Sequence, residues 1–327
     1  MEKIRKTGII ILNYNNSKDT INCIKSVERY NTAPIKYIIV DNGSSNKQVI
    51  KEITSFITEE FKNDYLIIKE DQTLPTKLPK MNFLISPTND GYAQGNNKGL
   101  KLTTQDSEIE TILILNSDIL FVEDIIPILI KDLNELNDAA IISPILYKKD
   151  LKTIDYNCSR KAITLTQNFI IHMLLYMNIA GIITKITNDN NLLFRKKIPL
   201  KNHILEIQLP SGSCMLLNKL FFKEIGFFDP NTFLYFEENI IFSKISKLNK
   251  KVFLDTRVKC IHLGASTTKS TVTSKFLINC AIQSNKYYLI NYTHANNIYM
   301  FFMHIFYQLW KSKINIKTIF NHYFKIL

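Results

Sequence analysis

A short apolar segment that ends in a polar cluster is the feature that most restricts the fold of this chain. Residues 111–115 are all apolar or β-branched, and Asn116, Ser117 and Asp118 follow directly. An unbroken run of this kind predicts a strand that is buried on both faces of a parallel sheet. Ligands of open α/β sheets bind beyond the carboxyl ends of the strands, so Asp118 is placed where a carboxylate could meet a ligand or a metal. The same cluster could equally be an ordinary turn.

Two earlier segments repeat this pattern of a strand followed by a polar end. Residues 7–14 lead into the polar cluster 13–16 and then a helical pattern, and residues 37–40 lead into the polar cluster 41–45. Strand, helix and strand in this order predict a βαβ unit with a parallel sheet. A loop rich in Gly and Asn over residues 89–99 then precedes the 111–116 strand. We therefore predict an α/β fold whose residues 1–120 form a doubly wound, nucleotide-binding half.

The rest of the chain is predicted to form a second half of the same domain and a tail. Residues 210–217 indicate a tight turn into a strand, and residues 233–239 lead into an amphipathic helix. Two strand segments, 252–255 and 258–262, are expected to close the half that spans residues 121–270. Residues 150–207 are irregular and rich in Lys and Asn, but the apolar-rich segment 163–183 within them is expected to form a buried or interfacial helix rather than a membrane span. Residues 271–327 are expected to form a helical tail.

The charge and the cysteines limit the partners and the compartment. The formal net charge of +12 suits an anionic partner, such as nucleotide phosphates, nucleic acid or an anionic membrane surface. We predict no nucleic-acid partner, because only the charge favours one. Five cysteines without paired spacing fit a reducing compartment, and no apolar signal segment follows the charged N-terminus. The expected location is cytoplasmic, with a peripheral position at the inner face of the membrane as an option.

Three groups of polar residues are candidates for chemistry. Asp118 and His262 could share a divalent cation, Mn²⁺ or Mg²⁺, with phosphate oxygens as further ligands, although a lone His is more often structural. Glu238 shares a helix face with apolar residues and is a candidate general base, with Glu237 as its rival. Either glutamate could instead simply stabilise the first turn of a helix.

The polar strand ends form the third group. Asn13, Asp41 and the loop 89–99 could hold a base, a ribose and a diphosphate, although each residue alone is more simply explained by turn formation. The spacing of Gly91, Gly95 and Gly99 does not match a dinucleotide-binding fingerprint, and no Walker A sequence is present.

The order of these motifs resembles family 2 glycosyltransferases of the GT-A fold, and in particular the bacterial rhamnosyltransferase-like enzymes that build surface polysaccharides. The resemblance covers roughly residues 7–270. Each motif is weak by itself, but seven occur in the family's order. They are ILNYNN, IIVDNGSS, NDGYAQGNNKGL, ILILNSD, PSGSCMLL, GFFDPNTFLYFEEN and VKCIHLGAST.

The resemblance implies a role for each matching residue. Asp118 would be the last residue of the metal-binding Asp-X-Asp motif, and His262 would join the site of the metal and the diphosphate. Glu238 would take the place of the catalytic base in the family's Glu-Asp pair. Donor binding would involve Asn13, Asp41, Asn89, Gly91, Gly95, Asn97, Asn116 and Asp118, and the acceptor side would involve Gly212, Ser213 and Glu237.

Three positions depart from the family pattern. Asn116 replaces the first Asp of Asp-X-Asp, and Ile240 stands where many relatives carry a second carboxylate. Glu238 replaces Asp and so places the base one methylene further out. These changes bear on the rate and on metal dependence more than on the fold.

The implied activity is an inverting transfer of rhamnose or another hexose. The donor would be a dTDP- or UDP-sugar, and the acceptor a hydroxyl of a growing surface glycan or a lipid-linked oligosaccharide, as in lipopolysaccharide, capsule or cell-wall synthesis. One alternative is a non-catalytic subunit that binds sugar nucleotides or serves as a scaffold. A nucleotidyltransferase would require a basic Gly-rich loop after the first strand, where Asn13–Asn16 stand instead.

The C-terminal tail has a composition of its own. Residues 298–310 are aromatic and apolar, and too few to span a bilayer, and several lysines follow them. Aromatic residues beside lysines suit a helix that lies in the interface of an anionic membrane. Residues 298–325 are therefore a candidate membrane contact, and the alternative is a helix packed on the core or on a second subunit.

Overall fold

The computed structural model describes residues 5–69, 75–176, 198, 203–264 and 274–323. Within these residues, ten strands form a single mixed sheet. The strands are β1 (Lys6–Asn13), β2 (Ile35–Asn42), β3 (Tyr65–Lys69), β4 (Met81–Ser86), β5 (Ile109–Asn116), β6 (Ile119–Phe121), β7 (Ala139–Tyr147), β8 (Ile204–Ile207), β9 (Cys214–Asn218) and β10 (Lys251–His262).

The helices of the described residues lie between these strands and after them. Helix α1 begins where the side chain of Asn16 accepts a hydrogen bond from the backbone N–H of Asp19, and it buries Cys23, Ile24 and Val27 on one face. The helices are α1 (Ser17–Tyr30), α2 (Lys47–Phe61), α3 (Gly91–Gln105), α4 (Ile126–Glu135), α5 (Leu165–Tyr176), α6 (Lys219–Glu224), α7 (Glu237–Lys247), α8 (Ser274–Tyr292) and α9 (Asn297–Tyr323), with a 3₁₀ turn over Tyr156–Cys158.

The order of the strands explains the mixed character of the sheet. Strands β3, β4, β2, β1 and β5 are parallel neighbours. Strand β9 then lies antiparallel between β5 and β7, and β7 is parallel to β10. The long strand β10 also pairs antiparallel with β6 and β8. The α/β class with a mostly parallel sheet, predicted from the sequence, is confirmed.

The register of the parallel strands aligns their polar ends. Asn13 at the end of β1 lies opposite Asp41 in β2, and the preceding Leu12 lies opposite Asn116 at the end of β5. The apolar segments behind these ends are fully buried, as the unbroken apolar runs predict. The three predicted strand ends therefore meet at one edge of the sheet.

Some elements differ from the patterns seen in the sequence. The predicted segments 252–255 and 258–262 are parts of one strand, β10, whose register against β7 shifts between Asp255 and Lys259. This irregularity interrupts the apolar alternation and makes one strand look like two. Strands β3, β6, β7 and β8 were not identified from the sequence at all.

The C-terminal helices form a second, smaller apolar cluster with α5. Its buried members are Ile282, Leu289, Met303 and Tyr307. The predicted C-terminal helical extension is confirmed over α8 and α9, and the helix expected near residues 163–183 is described as α5, with residues 177–183 outside the described part. No helix among the described residues combines the length and the apolarity that a membrane span requires.

Gly91, at the start of α3, lies against the loop that precedes α7. Its φ is +82°, and a Cβ there would lie 2.2 Å from the carbonyl oxygen of Phe233. We expect Gly91→Ala to lower the free energy of unfolding by about 1–3 kcal/mol more than Gly226→Ala, measured by urea denaturation. Gly226 is the matched control, because its φ is +74° but a Cβ would meet nothing within 4 Å. Equal losses in the two variants would contradict the role of the close contact.

Candidate active site

Asn13 and Asp41 form a buried pair at the ends of β1 and β2. The amide of Asn13 donates to Asp41 Oδ1 at 2.7 Å, and Thr20 donates to Asn13 Oδ1 at 2.9 Å. The backbone N–H of Ser44 donates to the other carboxylate oxygen of Asp41 at 3.0 Å. The structure therefore brings the two predicted donor residues together, but with many of their polar atoms already bonded to the protein.

The loop 89–99 is held to the sheet by its own predicted site residues. Asn89 Oδ1 accepts hydrogen bonds from the amide of Asn42 at 2.9 Å and from the backbone N–H of Gly91 at 3.1 Å. Asn97 exchanges two hydrogen bonds with the backbone of Phe228. A Cβ at Gly95 would lie 2.6 Å from Leu12 Cδ1, so this glycine allows α3 to pack closely on β1. These contacts fix the position of α3.

A cleft of about 550 Å³ lies beside these strand ends. Its lining includes the ends of β5 and β10, the turn before β9, the first turn of α7 and one residue of α8. Of the residues that the sequence singles out, the cleft contains Asn116, Gly212, Ser213, Glu237, Glu238 and His262. Asn13, Asp41, Asn89, Gly91, Gly95 and Asn97 are not part of this lining.

Asp118 reaches the cleft through its contact with His262. His262 is the last residue of β10, and Asp118 directly precedes β6. The two residues lie close together because β6 pairs antiparallel with the end of β10. His262 Nε2 lies 3.3 Å from Asp118 Oδ2, and Nδ1 lies 2.6 Å from Asp155 Oδ2. Burial lowers the pKa of His262, but the hydrogen bonds and charges of the two carboxylates outweigh it and raise the pKa to about 10. Without a cation, His262 is therefore a charged imidazolium between two carboxylates.

The Asp118–His262 pair is the candidate site for Mn²⁺ or Mg²⁺. No group of three or more His, Cys, Asp or Glu side chains in the described residues could hold a metal ion. Asp118 Oδ2 and His262 Nε2 nevertheless lie close enough to face one cation, and Asp155 holds the other ring nitrogen, as partners of metal-binding histidines commonly do. The pair fits a cation that takes further oxygens from a diphosphate and water.

Glu238 is held by two donors at the edge of the cleft. Its Oε1 accepts the backbone N–H of Gly212 at 3.0 Å and lies 2.9 Å from Arg160 Nη2. The side chain of Glu238 is 17% exposed, so the carboxylate is accessible from the cleft. A partly exposed, ion-paired carboxylate at this place can accept a proton from a hydroxyl bound in the cleft.

Glu237, the neighbour of Glu238, has a different environment. It is 5% exposed, and its Oε1 has no hydrogen-bond partner among the described residues. Burial, and after it the negative charge of Glu238, raise the pKa of Glu237 to about 8. At neutral pH, Glu237 is thus largely protonated and can donate a hydrogen bond.

The backbone before these glutamates is strained. Tyr235 and Phe236 have φ values of +76° and +70°, a region that side chains other than Gly rarely adopt. Such residues cost about 1–3 kcal/mol each and are found mostly at functional sites. Phe236 is the N-cap of α7, so this conformation sets where Glu237 and Glu238 begin the helix.

The family model described as "Glycosyl transferase family 2" matches residues 8–199, which is more than half of the chain. The chain belongs to glycosyl transferase family 2. The described part of this match contains β1 to β7, with Asn116 and Asp118.

One curated relative and two solved structures are similar to this chain. The chain is 24% identical over 238 residues to the low-salt glycan biosynthesis hexosyltransferase Agl10 of Haloferax volcanii; this covers 71% of the chain and 58% of the length of that relative. The first structure is the mannosyltransferase PcManGT from Pyrobaculum calidifontis in complex with GDP-Man and Mn²⁺. Its match to this chain has a TM-score of 0.54 at 10% identity, and covers 93% of this chain and 69% of that one.

The second structure is GalNAc-T7 with UDP, GalNAc and Mn²⁺. Its TM-score is 0.52 at 12% identity, and the match covers 80% of this chain and 44% of that one. At these identities the similarity concerns the fold, and the GT-A fold predicted from the sequence is confirmed.

Four residues in or beside this cleft were not found from the sequence. Asp155, Asn157 and Arg160 lie in the irregular segment after β7, and Tyr92 donates a hydrogen bond from its hydroxyl to the carbonyl oxygen of Gly212 at 2.5 Å. Only Tyr92 had a signal, because it lies within the loop 89–99. The other three gave none, because their role depends on contacts that are distant in sequence.

The raised pKa of Glu237 predicts a specific pH dependence of stability. The folded protein keeps the proton of Glu237 up to about pH 8, whereas the unfolded chain loses it near the usual value of 4.5. Stability from this group is therefore present below pH 4.5 and is lost as pH rises to 8, at up to about 1.4 kcal/mol per pH unit. We expect Glu237→Gln to gain stability relative to the wild type between pH 5 and 8, measured by urea denaturation.

The exposed Glu224→Gln is the control for this experiment, and its stability relative to the wild type should not change with pH. Parallel stability curves for Glu237→Gln and the wild type would show that Glu237 is not a buried, protonated acid.

Proposed function

We propose that this family 2 protein is an inverting hexosyltransferase that moves rhamnose or another hexose from a dTDP- or UDP-sugar to a hydroxyl of a growing surface glycan. The proposed products are lipopolysaccharide, capsule or cell-wall polysaccharide, built on a glycan or a lipid-linked oligosaccharide. One observation carries the proposal: Glu238 and His262, with its partner Asp118, belong to the same cleft beyond the strand ends. The hexosyltransferase named above supports the class of sugar, and the GDP-Man in one solved structure and the UDP in the other support the class of donor.

In the proposed mechanism, Glu238 accepts the proton of the acceptor hydroxyl. The hydroxyl oxygen forms a bond to the anomeric carbon while the bond from that carbon to the diphosphate oxygen breaks on the opposite face. The nucleoside diphosphate leaves with the bonding electrons, and the configuration of the anomeric carbon inverts. Asp118 and His262 would hold the divalent cation, which when bound neutralises negative charge on the leaving group. Protonated Glu237 lies beside the base and can donate to a hydroxyl of the acceptor.

The proposed donor side lies at the strand ends, next to the turn before β9. Asn116 lines the cleft, and its backbone N–H donates to the carbonyl oxygen of Ser213 at 2.8 Å. Gly212 and Ser213 are then the proposed acceptor side. Asn13, Asp41 and Asn89 remain the proposed contacts of the base and ribose, with Gly91, Gly95 and Asn97 shaping the loop.

A non-catalytic subunit with the same fold is the second candidate. Asn116 supplies an amide where the family has a carboxylate, and Ile240 is fully buried rather than directed to the cleft as a second acid. Binding of a sugar nucleotide without turnover would favour this candidate.

A panel of donors tests the activity. With Mn²⁺ or Mg²⁺, we expect the purified protein to hydrolyse one sugar nucleotide slowly from a set of UDP-, dTDP- and GDP-sugars, measured as released nucleoside diphosphate. Glu238→Gln should lose about 10²–10⁴-fold in turnover, because the general base is removed. Asp118→Ala and His262→Ala should abolish metal-dependent turnover. Full turnover by any of these variants would contradict its assigned role.

We also propose that α9 lies on an anionic membrane surface through one apolar face. Ile298, Phe301, Phe302 and Ile305 recur at helical spacing and are 39–69% exposed. The opposite face, which includes Met303 and Tyr307, packs against α5 and α8, so α9 is anchored to the domain.

The positive charge of the C-terminal region is complementary to an anionic membrane surface. After Asp255 the sequence contains no Asp or Glu, and α9 continues with Lys311, Lys313 and Lys317. An exposed aromatic face next to lysines binds both the interface and the headgroups of anionic lipids. Lys325 belongs to the same predicted contact but lies outside the described residues.

Vesicle sedimentation tests the membrane contact. We expect the wild type to bind vesicles that contain anionic phosphatidylglycerol more strongly than vesicles of phosphatidylcholine. The double variant Phe301→Ser/Phe302→Ser should lose most of this binding. Leu220→Ser is the matched control, because Leu220 is a 72% exposed apolar residue on α6. Equal binding of the double variant and the control would contradict the proposed surface.

A further inference from the structure

We propose that residues 155–160 form one positioning element that holds both ends of the cleft. Arg160 orients the carboxylate of Glu238, and Asp155 orients the ring of His262. This inference rests on the proposed function and adds to it. It explains how the base and the cation site are kept in fixed positions relative to each other. Neither residue touches the reacting atoms in this proposal.

Arg160 is held in place by the backbone on two sides. Its Nη2 lies 3.1 Å from the carbonyl oxygen of Pro210, and its Nε lies 3.3 Å from that of Asn157. The same Nη2 lies 2.9 Å from Glu238 Oε1. A guanidinium presents its donors in a rigid plane, so fixing it against two carbonyls also fixes the carboxylate that it contacts.

The contact determines which oxygen of Glu238 is available. Arg160 and the backbone N–H of Gly212 both reach Oε1, and among the described residues no hydrogen bond to Oε2 is seen. Oε2 is then the oxygen that accepts the proton of the acceptor hydroxyl. Arg160 thus acts by limiting the rotation of the carboxylate, which keeps the base in a productive position.

Asp155 makes the corresponding contact at the other end of the cleft. Its Oδ2 lies 2.6 Å from His262 Nδ1, while its Oδ1 accepts the backbone N–H of Asn157 at 3.1 Å. This arrangement leaves Nε2 of His262 directed toward Asp118. A carboxylate behind a ligating histidine fixes the orientation of the ring.

The segment between these two residues is rigid. The N–H of Asp155 donates to the carbonyl oxygen of Leu146 in β7, and the backbone of Arg160 exchanges two hydrogen bonds of 3.1 Å with Leu209. Between them, Cys158 and Ser159 are fully buried. The segment is therefore attached to the sheet at one end and to the chain before β9 at the other, so its two side chains cannot shift independently over large distances.

Two substitutions separate the two contacts. We expect Arg160→Gln to lower kcat for hydrolysis of the accepted sugar nucleotide about 10–100-fold, while the Kd of UDP with Mn²⁺ stays within twofold of the wild type. Arg160→Lys should recover part of kcat, because the charge remains but the planar geometry is lost. Asp155→Asn should weaken Mn²⁺ binding in the presence of UDP about 10–100-fold, measured by the electron paramagnetic resonance signal of free Mn²⁺.

The control is Arg29→Gln, which removes an exposed arginine from α1 and should leave kcat and both binding constants unchanged. If Arg160→Gln does not fold, Arg160→Lys decides: a reduced kcat with unchanged UDP affinity supports the proposal, and a wild-type kcat overturns it. A wild-type kcat in Arg160→Gln, or unchanged Mn²⁺ binding in Asp155→Asn, also overturns it.

Failure of this inference is distinguishable from failure of the proposed function. If the wild type turns over no sugar nucleotide, the proposed function fails. If the wild type is active and Glu238→Gln is not, but Arg160→Gln keeps its kcat, only the positioning role is wrong.

Discussion

The antiparallel pairing of β9 with β5 is the interaction on which the candidate site depends. It inserts a strand from the second half of the chain directly beside the strand that ends at Asn116, with Cys214 opposite Leu115. The turn before β9 is thereby brought to the polar edge of the sheet, where Gly212 contacts both Tyr92 and Glu238. Further contacts between these two parts of the chain, such as the hydrogen bonds of Asn97 with Phe228 and the pairing of β6 with β10, surround this central pairing.

The parts of this arrangement that sequence reasoning could predict are those with a local pattern. Unbroken apolar runs identified β1, β2 and β5, because burial on both faces requires them. Glu238 and His262 were found because one lies in the first turn of an amphipathic helix and the other ends a strand. In contrast, β7 and the register shift in β10 were missed, since their position in the sheet follows from pairing rather than from periodicity.

Arg160 and Asp155 were missed for a physical reason of the same kind. They lie in a segment without helical or strand periodicity, and their partners are distant along the chain. Charged residues in such a segment would normally be interpreted as solvated. Only the attachment of the segment to Leu146 and Leu209 turns them toward the cleft. A local signal cannot reveal a contact that the tertiary structure creates.

The two adjacent glutamates show how the environment divides one residue type into two roles. Glu238 is ion-paired with Arg160 and partly exposed, whereas Glu237 is buried, forms no ion pair with another described residue and has its pKa raised to about 8. In a low-dielectric site an unpaired carboxyl group binds a proton more readily than one that is paired with a cation. Glu237 and Glu238 point in different directions around α7, but both line the cleft. The strained backbone of Tyr235 and Phe236 directly precedes them and sets their position. One turn of α7 thus presents a proton donor and a proton acceptor side by side, a combination suited to binding a hydroxyl and removing its proton.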